Sequence, residues 1–253
     1  MKSKLVLSLI SVLALGACVD MADGEDPGVS ATAKLSSNAM LPTVIQPTGI
    51  YAAPLTGQAL TNSGLEGTSG GRSYLTYIID CALAPGHSIT STYGLTQFTY
   101  TGSIGIAQAW TTRALTSAEI GYISSCVLAR ANQFGQAVTI SMRGAATFLA
   151  STTDELANYN VEEGAFYGNI FWSGLGQGMH ACNGVDQVRD GDTYGDLPLR
   201  QCAQPDPNNP GYTPCGFIFD GNCADVCAFS GDHYTQCGNW TTIITTRLYG
   251  TAP

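Results

Sequence analysis

Apolar residues recur along this chain in several distinct rhythms. Residues 5–15 form a predominantly apolar stretch, whereas residues 19–46 are rich in Ala, Ser, Thr, Asp and Gly and show no sustained periodicity. Between them and the rest of the chain, Ile50, Leu55, Leu60 and Leu65 return every five residues, a period that fits neither a helix nor a flat strand. From Arg72 onward the texture is globular. Leu75, Ile78, Ile79 and Ala82 make a helical stripe over residues 73–83, stopped by Pro85-Gly86. Residues 88–93 and 97–106 alternate as strands on either side of a glycine-containing turn. The clearest helix starts at Thr116: Thr116 and Glu119 have the capping-box spacing, Ile120, Ile123, Val127 and Ala131 share a face, and Gly135 is placed to end it. Residues 138–142 predict a strand, 154–158 a short helix, and 165–172 and 241–249 two further strands. Residues 182–237 are rich in Pro, Gly, Asn and Asp and lack such a pattern, so cross-links are expected to substitute for core there. The predicted class is α+β: a small sheet with two helices, followed by a disulfide-rich irregular subregion.

The five-residue leucine spacing resembles the pentapeptide repeat of square parallel β-helices, although four repeats make about one coil and one coil cannot bury its own face. The resemblance implies a remnant of a repeat array packed on the main domain; the alternative is a leucine-containing loop.

The opening residues change the picture of compartment. Lys2 and Lys4 precede the short apolar stretch, which is too short to cross a bilayer, and Leu15-Gly16-Ala17-Cys18 follows. This resembles the bacterial lipobox, and it implies cleavage before Cys18 and lipidation of that cysteine. Val19 stands where an aspartate would signal inner-membrane retention, so an outer-membrane envelope location is expected. The chain then divides into a signal peptide over 1–17, an anchor and flexible tether over 18–47, a pentapeptide-like segment over 48–71 and a disulfide-stabilised domain over 72–253 whose cysteine-rich part spans 182–237.

Cysteine count agrees with export. Of nine cysteines, Cys18 is assigned to the anchor, leaving Cys81, Cys126, Cys182, Cys202, Cys215, Cys223, Cys227 and Cys237, an even set that an oxidising compartment would pair. Cys81 is expected to pair with Cys126, because the other six crowd into the C-terminal part. The net charge of −9 disfavours nucleic acid and anionic membrane surfaces, so the membrane is reached through acyl chains.

Candidate chemistry is sparse. Asp190, Asp192 and Asp196, with Gly195, open like a calcium loop, but Tyr194 and Gln201 replace two usual ligands; a solvated acidic turn is the favoured reading and calcium the alternative. Cys215, Cys223, Cys227 and Cys237 have spacing compatible with zinc, and export favours disulfides instead. His87, His180 and His233 sit in no metalloprotease motif, no Gly-x-Ser-x-Gly elbow is present, and each histidine reads as a loop residue. Adjacent Glu162 and Glu163 would point to opposite faces of a strand and read as solvated, or as serving a helix N-terminus, in preference to a catalytic pair. Gly174, Gly176 and Gly178 read as a flexible loop.

Four stretches, CALAPG at 81–86, SSCVLARANQFG at 124–135, ISMRG at 140–144 and EEGAFYGNIF at 162–171, together with the closing cysteine cluster, resemble uncharacterised cysteine-rich lipoproteins of myxobacterial type. That resemblance brings no activity and no assigned catalytic residue. The expected function is therefore a non-enzymatic envelope module that binds a protein or glycan, with Trp172, Tyr194, Tyr212 and Trp240 as candidate contacts. The alternative is an exported hydrolase built from His180 with Asp186 or Glu163.

Overall fold

The computed structural model describes residues 35–171, 178–185 and 201–250. The chain is α+β; among the described residues it has one six-stranded sheet, two small two-stranded sheets and a C-terminal region carrying several disulfides.

Strand β1 (Leu35–Asn38) pairs antiparallel with a later strand, and Met40 behind it is buried. The sequence pattern assigns this segment to the tether; it is instead the edge of the main sheet. A four-residue edge strand takes its register from its partner, so it leaves little periodicity of its own.

The leucines at five-residue spacing are all buried, but no square coil forms. Ile50 begins a 3-10 turn, Leu60 lies on helix α1 (Gly57–Ser63), and Leu65 begins another 3-10 turn. Five residues advance a continuous α-helix by about 140° past a full turn, so one unbroken helix would scatter these side chains. The break at Gly64, left-handed at φ 73°, resets the direction and returns Leu65 to the core. The turn also delivers Glu66 to a fully buried position, where it accepts hydrogen bonds from Ser91 and Tyr100 Oη, the latter at 3.1 Å.

Helix α2 (Ser69–Ala82) starts earlier than its apolar stripe suggests, because the Thr68 side chain caps it by accepting from Gly71 N. Strands β2 (Ser88–Tyr93) and β3 (Thr96–Thr101) form a hairpin with Gly94 at the first turn position, φ +63°. β3 ends at Thr101 instead of running on to 106. The loop that follows bonds to α2 and not to a strand, since the N–H groups of Ser103, Ile104, Ile106 and Ala107 reach the carbonyls of Asp80, Cys81 and Ala82 at 2.8–3.1 Å. It thereby satisfies the orphan acceptors at the end of that helix.

Helix α3 (Ser117–Ala129) has the capping box at Thr116 and Glu119, with Arg113 clamping both Glu119 oxygens at 2.7 and 2.8 Å. The helix ends at Arg130, earlier than Gly135, because Arg130 turns its guanidinium onto Asp80 and over the Tyr77 ring. Gly135, φ +63°, serves a separate turn closed on Asn132. Cys81 and Cys126 form a disulfide that joins α2 to α3.

The main sheet is completed by β4 (Val138–Arg143), then, after helix α4 (Thr153–Asn158), by β5 (Val161–Gly168), β6 (Met179–Asn183) and β7 (Ile218–Asn222). A short helix α5 (Cys223–Val226) leads into the hairpin β8 (Cys227–Ser230) and β9 (His233–Cys237), and β10 (Ile244–Leu248) closes the sheet. The strand order is β1-β4-β10-β5-β6-β7, antiparallel except for β6 with β7. The last strand therefore occupies the middle.

Both faces of the sheet are covered. On one, α2 and α3 pack with Ile140, Met142, Phe166, Ile244 and Leu248 in the main core. On the other, a smaller core of Ala165, Tyr167, Cys182, Cys223, Tyr234, Cys237 and Ile243 lies beneath the β8–β9 hairpin. All eight residues of β5 are buried as a result. The cysteine-rich part thus supplies β6, β7 and a hairpin, held by Cys182–Cys223, Cys202–Cys215 and Cys227–Cys237.

Candidate binding cleft

Three neighbouring strands place one side chain each at the same spot. Tyr167 on β5 stands directly across from His180 on β6, and Asp220 on β7 reaches both. His180 Nδ1 lies 2.8 Å from Asp220 Oδ2, and Tyr167 Oη donates to the same oxygen at 2.7 Å. The Tyr167 and His180 rings are stacked, 5.5 Å between centroids and 9° between planes. Trp240 completes the wall, its ring centre 5.7 Å from that of His180. It is held by a tight turn in which Cys237 and Trp240 exchange two backbone hydrogen bonds, with Gly238 at φ +55°, and the Cys227–Cys237 disulfide fixes the base of that turn.

Together with Val226 and residues 237–239, these side chains line an open cleft of about 310 Å³. Burial alone would raise the Asp220 carboxyl, but hydrogen bonds from His180 and Tyr167 and the nearby imidazole more than offset it and hold the group below the usual carboxylate range. Burial, and then the Asp220 carboxylate, push the Tyr167 phenol well above the usual phenol range. Near neutrality the cleft therefore presents an anion on β7 and a protonated phenol on β5. An ionised Asp220 can only accept, so His180 Nδ1 is the donor in their contact. A larger depression of about 500 Å³, lined by residues 47–50, Ala53, Ala59, Asn62 and Ser63, carries no ionisable side chain.

The expected partners of His180 require correction. It bonds Asp220, whereas Glu163 accepts from Thr246 Oγ1 at 2.8 Å on the helix-covered face and Asp186 lies outside the described residues. Glu162 and Glu163 do point to opposite faces, but neither is solvated; their exposures are 2% and 3%. A register shift between β5 and β10 separates them. Glu162 accepts from Tyr234 Oη at 2.7 Å and pairs with Arg247 at 2.9 Å. Nearby, buried Arg143 donates to the carbonyls of Glu155 and Tyr159 and faces Asp232 at 3.7 Å, while Asp232 also accepts from Ser151 and meets His233 Nδ1. This network pins α4 and the β8–β9 hairpin to the sheet.

The loop reading also fails for two histidines. His180 and His233 lie in strands and each contacts an aspartate, while His87 is exposed. The four cysteines whose spacing suits zinc divide among three disulfides, Cys215 with Cys202, Cys223 with Cys182, and Cys227 with Cys237. Of the candidate aromatics, Trp240 lines the cleft and Tyr212 is exposed on a loop elsewhere. Trp172, Tyr194, Gly174, Gly176, Cys18 and the calcium candidates Asp190, Asp192 and Asp196 lie outside the described residues. Asp220 has no signal in the sequence: Phe219-Asp220-Gly221 looks like any acidic turn, and it becomes a site residue through the parallel pairing of β7 with β6.

Comparison with protein-family models, curated proteins and solved structures finds no match to this chain.

Proposed function

We propose that this protein is an exported, lipid-anchored envelope module that binds glycan, and that the Tyr167–His180–Asp220–Trp240 cleft receives one sugar unit. The cleft geometry carries the reading. An indole and an imidazole offer apolar faces to the C–H side of a ring, and an ionised carboxylate accepts hydroxyl donors in charge-assisted hydrogen bonds. A largely apolar concavity with a few convergent polar groups is the usual form of a small-ligand site. The anchor is supported by cysteine pairing: the eight cysteines after Cys18 close four disulfides, leaving Cys18 as the odd one.

The test is retention of the purified mature protein on an array of bacterial envelope glycans, followed by titration of the best ligand. Trp240→Ala is expected to weaken binding at least tenfold while leaving the melting midpoint nearly unchanged. An array with no retained glycan, or a Trp240→Ala variant that binds as the wild type does, overturns the reading.

The His180–Asp220 contact favours a second reading, hydrolysis of the bound glycan with His180 as general base toward water. Release of new reducing ends by the wild type and not by His180→Ala distinguishes it from binding alone.

A further inference from the structure

Two disulfides lie against each other behind the cleft. Cys182, bonded to Cys223, has its sulfur 3.7 Å from that of Cys227, which is bonded to Cys237. The sulfurs of Cys182, Cys227 and Cys237 all lie within 4.8 Å of one another. Packing in the small core brings the two bridges into contact, and the same spacing suits metal coordination once the bridges are opened. Four thiolates about 2.3 Å from a tetrahedral Zn²⁺ stand about 3.8 Å apart, so the Cys182–Cys227 separation of 3.7 Å is already that of ligands sharing one ion.

The sequence spacing and the fold agree with such a site. Cys223 and Cys227 stand at the two ends of the single helical turn α5, with three residues between them, inside the range that structural zinc sites use. Cys182 comes from β6 and Cys237 from the end of β9, so the remaining ligands are fixed by the main sheet and by the hairpin. Cys182, Cys223 and Cys237 are buried, and Cys227 is half-buried, which gives an ion one side of approach.

We propose that Cys182, Cys223, Cys227 and Cys237 form a redox-gated site for Zn²⁺, closed while both disulfides stand and open when both are reduced. The reductant is a dithiol. Its thiolate attacks one sulfur of each disulfide and expels the other as thiolate; its second thiol then resolves the mixed disulfide and leaves the dithiol oxidised. Each opened pair takes up two electrons and two protons. Zn²⁺ binding then displaces four protons from the four thiols. Cys182, Cys227 and Cys237 already stand together, and Cys223, bonded to Cys182 in the oxidised chain, must move toward Cys227 and Cys237 to complete the set. Cys237 also lines the cleft, so exchange of disulfide for metal alters the seat of Trp240.

The mature wild-type protein, reduced with a dithiol and freed of it under nitrogen, is titrated with Zn²⁺ and, separately, Co²⁺. The expected result is one metal per chain by native mass spectrometry and the thiolate-to-cobalt absorption of a four-sulfur tetrahedral site. Bound Zn²⁺ shields Cys182, Cys223, Cys227 and Cys237 from alkylation while leaving Cys202 and Cys215 as reactive as in the metal-free reduced chain. The oxidised protein takes up none. Cys227→Ser shifts the cobalt spectrum and weakens uptake at least tenfold; if that variant fails to fold, the wild-type shielding map decides. Absence of stoichiometric uptake, shielding that omits Cys182, uptake by the oxidised protein, or a Cys182–Cys227 cross-link in place of bound metal overturns the proposal.

Discussion

At the scale of single residues, the distinctive feature is ionisable groups held buried or half-buried with their partners. Asp220 is held ionised by two donors, and its carboxyl is depressed in the folded chain, so its contribution to stability is present above the ordinary carboxylate range and lost as pH falls through the folded value. Asp232 behaves alike: burial raises its carboxyl, and bonds from His233 and Ser151 with the Arg143 charge bring it below the usual range. Asp220→Asn is therefore expected to cost about 1–3 kcal/mol in urea unfolding near neutral pH, with the difference from wild type shrinking as the solution is acidified through the carboxylate range. A difference that grows on acidification contradicts the assignment. Arg143 is the complementary case. Its replacement by Met takes the guanidinium donor from the Tyr159 carbonyl, one of two donors from the Glu155 carbonyl and the nearby positive charge from Asp232, an expected loss of about 3–5 kcal/mol by the same measurement. None of this is visible in the sequence, where Arg143, Asp220 and Asp232 are isolated charges whose partners lie up to dozens of positions away.

At the scale of elements, the legible parts are those whose signals are local. The α3 start was readable because Thr116 and Glu119 satisfy the first-turn N–H groups by themselves, and the β2–β3 hairpin because its turn glycine sits between alternating runs. The end of α3 was not readable, since Arg130 leaves the helix to meet Asp80 on α2, a contact between elements. Packing sets limits of its own at Gly121, where a Cβ would run into the Thr242 side chain. Gly121→Ala should therefore lower stability by about 1–3 kcal/mol despite the better helix propensity of alanine, and adding Thr242→Ala should recover part of the loss. Chemical unfolding of the three variants checks both signs. β1 offers a parallel test: deletion through residue 40 removes the strand and buried Met40 and exposes the β4 edge, so a lowered melting midpoint with concentration-dependent association is expected in scanning calorimetry and light scattering.

At the scale of the whole molecule, the chain closes on itself late. β10 enters between β4 and β5, and the cysteine-rich region adds β6 and β7 to one end of the same sheet, so the core is complete only when the last strand is in place. The consequence for the thiols is direct: alkylation of the protein without reduction should label no cysteine from Cys81 to Cys237, and peptide mapping should return four cross-linked pairs. By itself the sequence determined the class, the major helices, the first hairpin and the presence of a disulfide framework, because caps, turn glycines, periodicity and cysteine parity act over a few residues or through composition alone. Tertiary structure decided that a short unpatterned segment becomes an edge strand, that five-spaced leucines arrive through broken helices, which sulfurs stand in contact, and that Asp220 meets His180. Those outcomes depend on strand order and on burial of both sheet faces, which arise from contacts distant along the chain and leave no periodic trace in it.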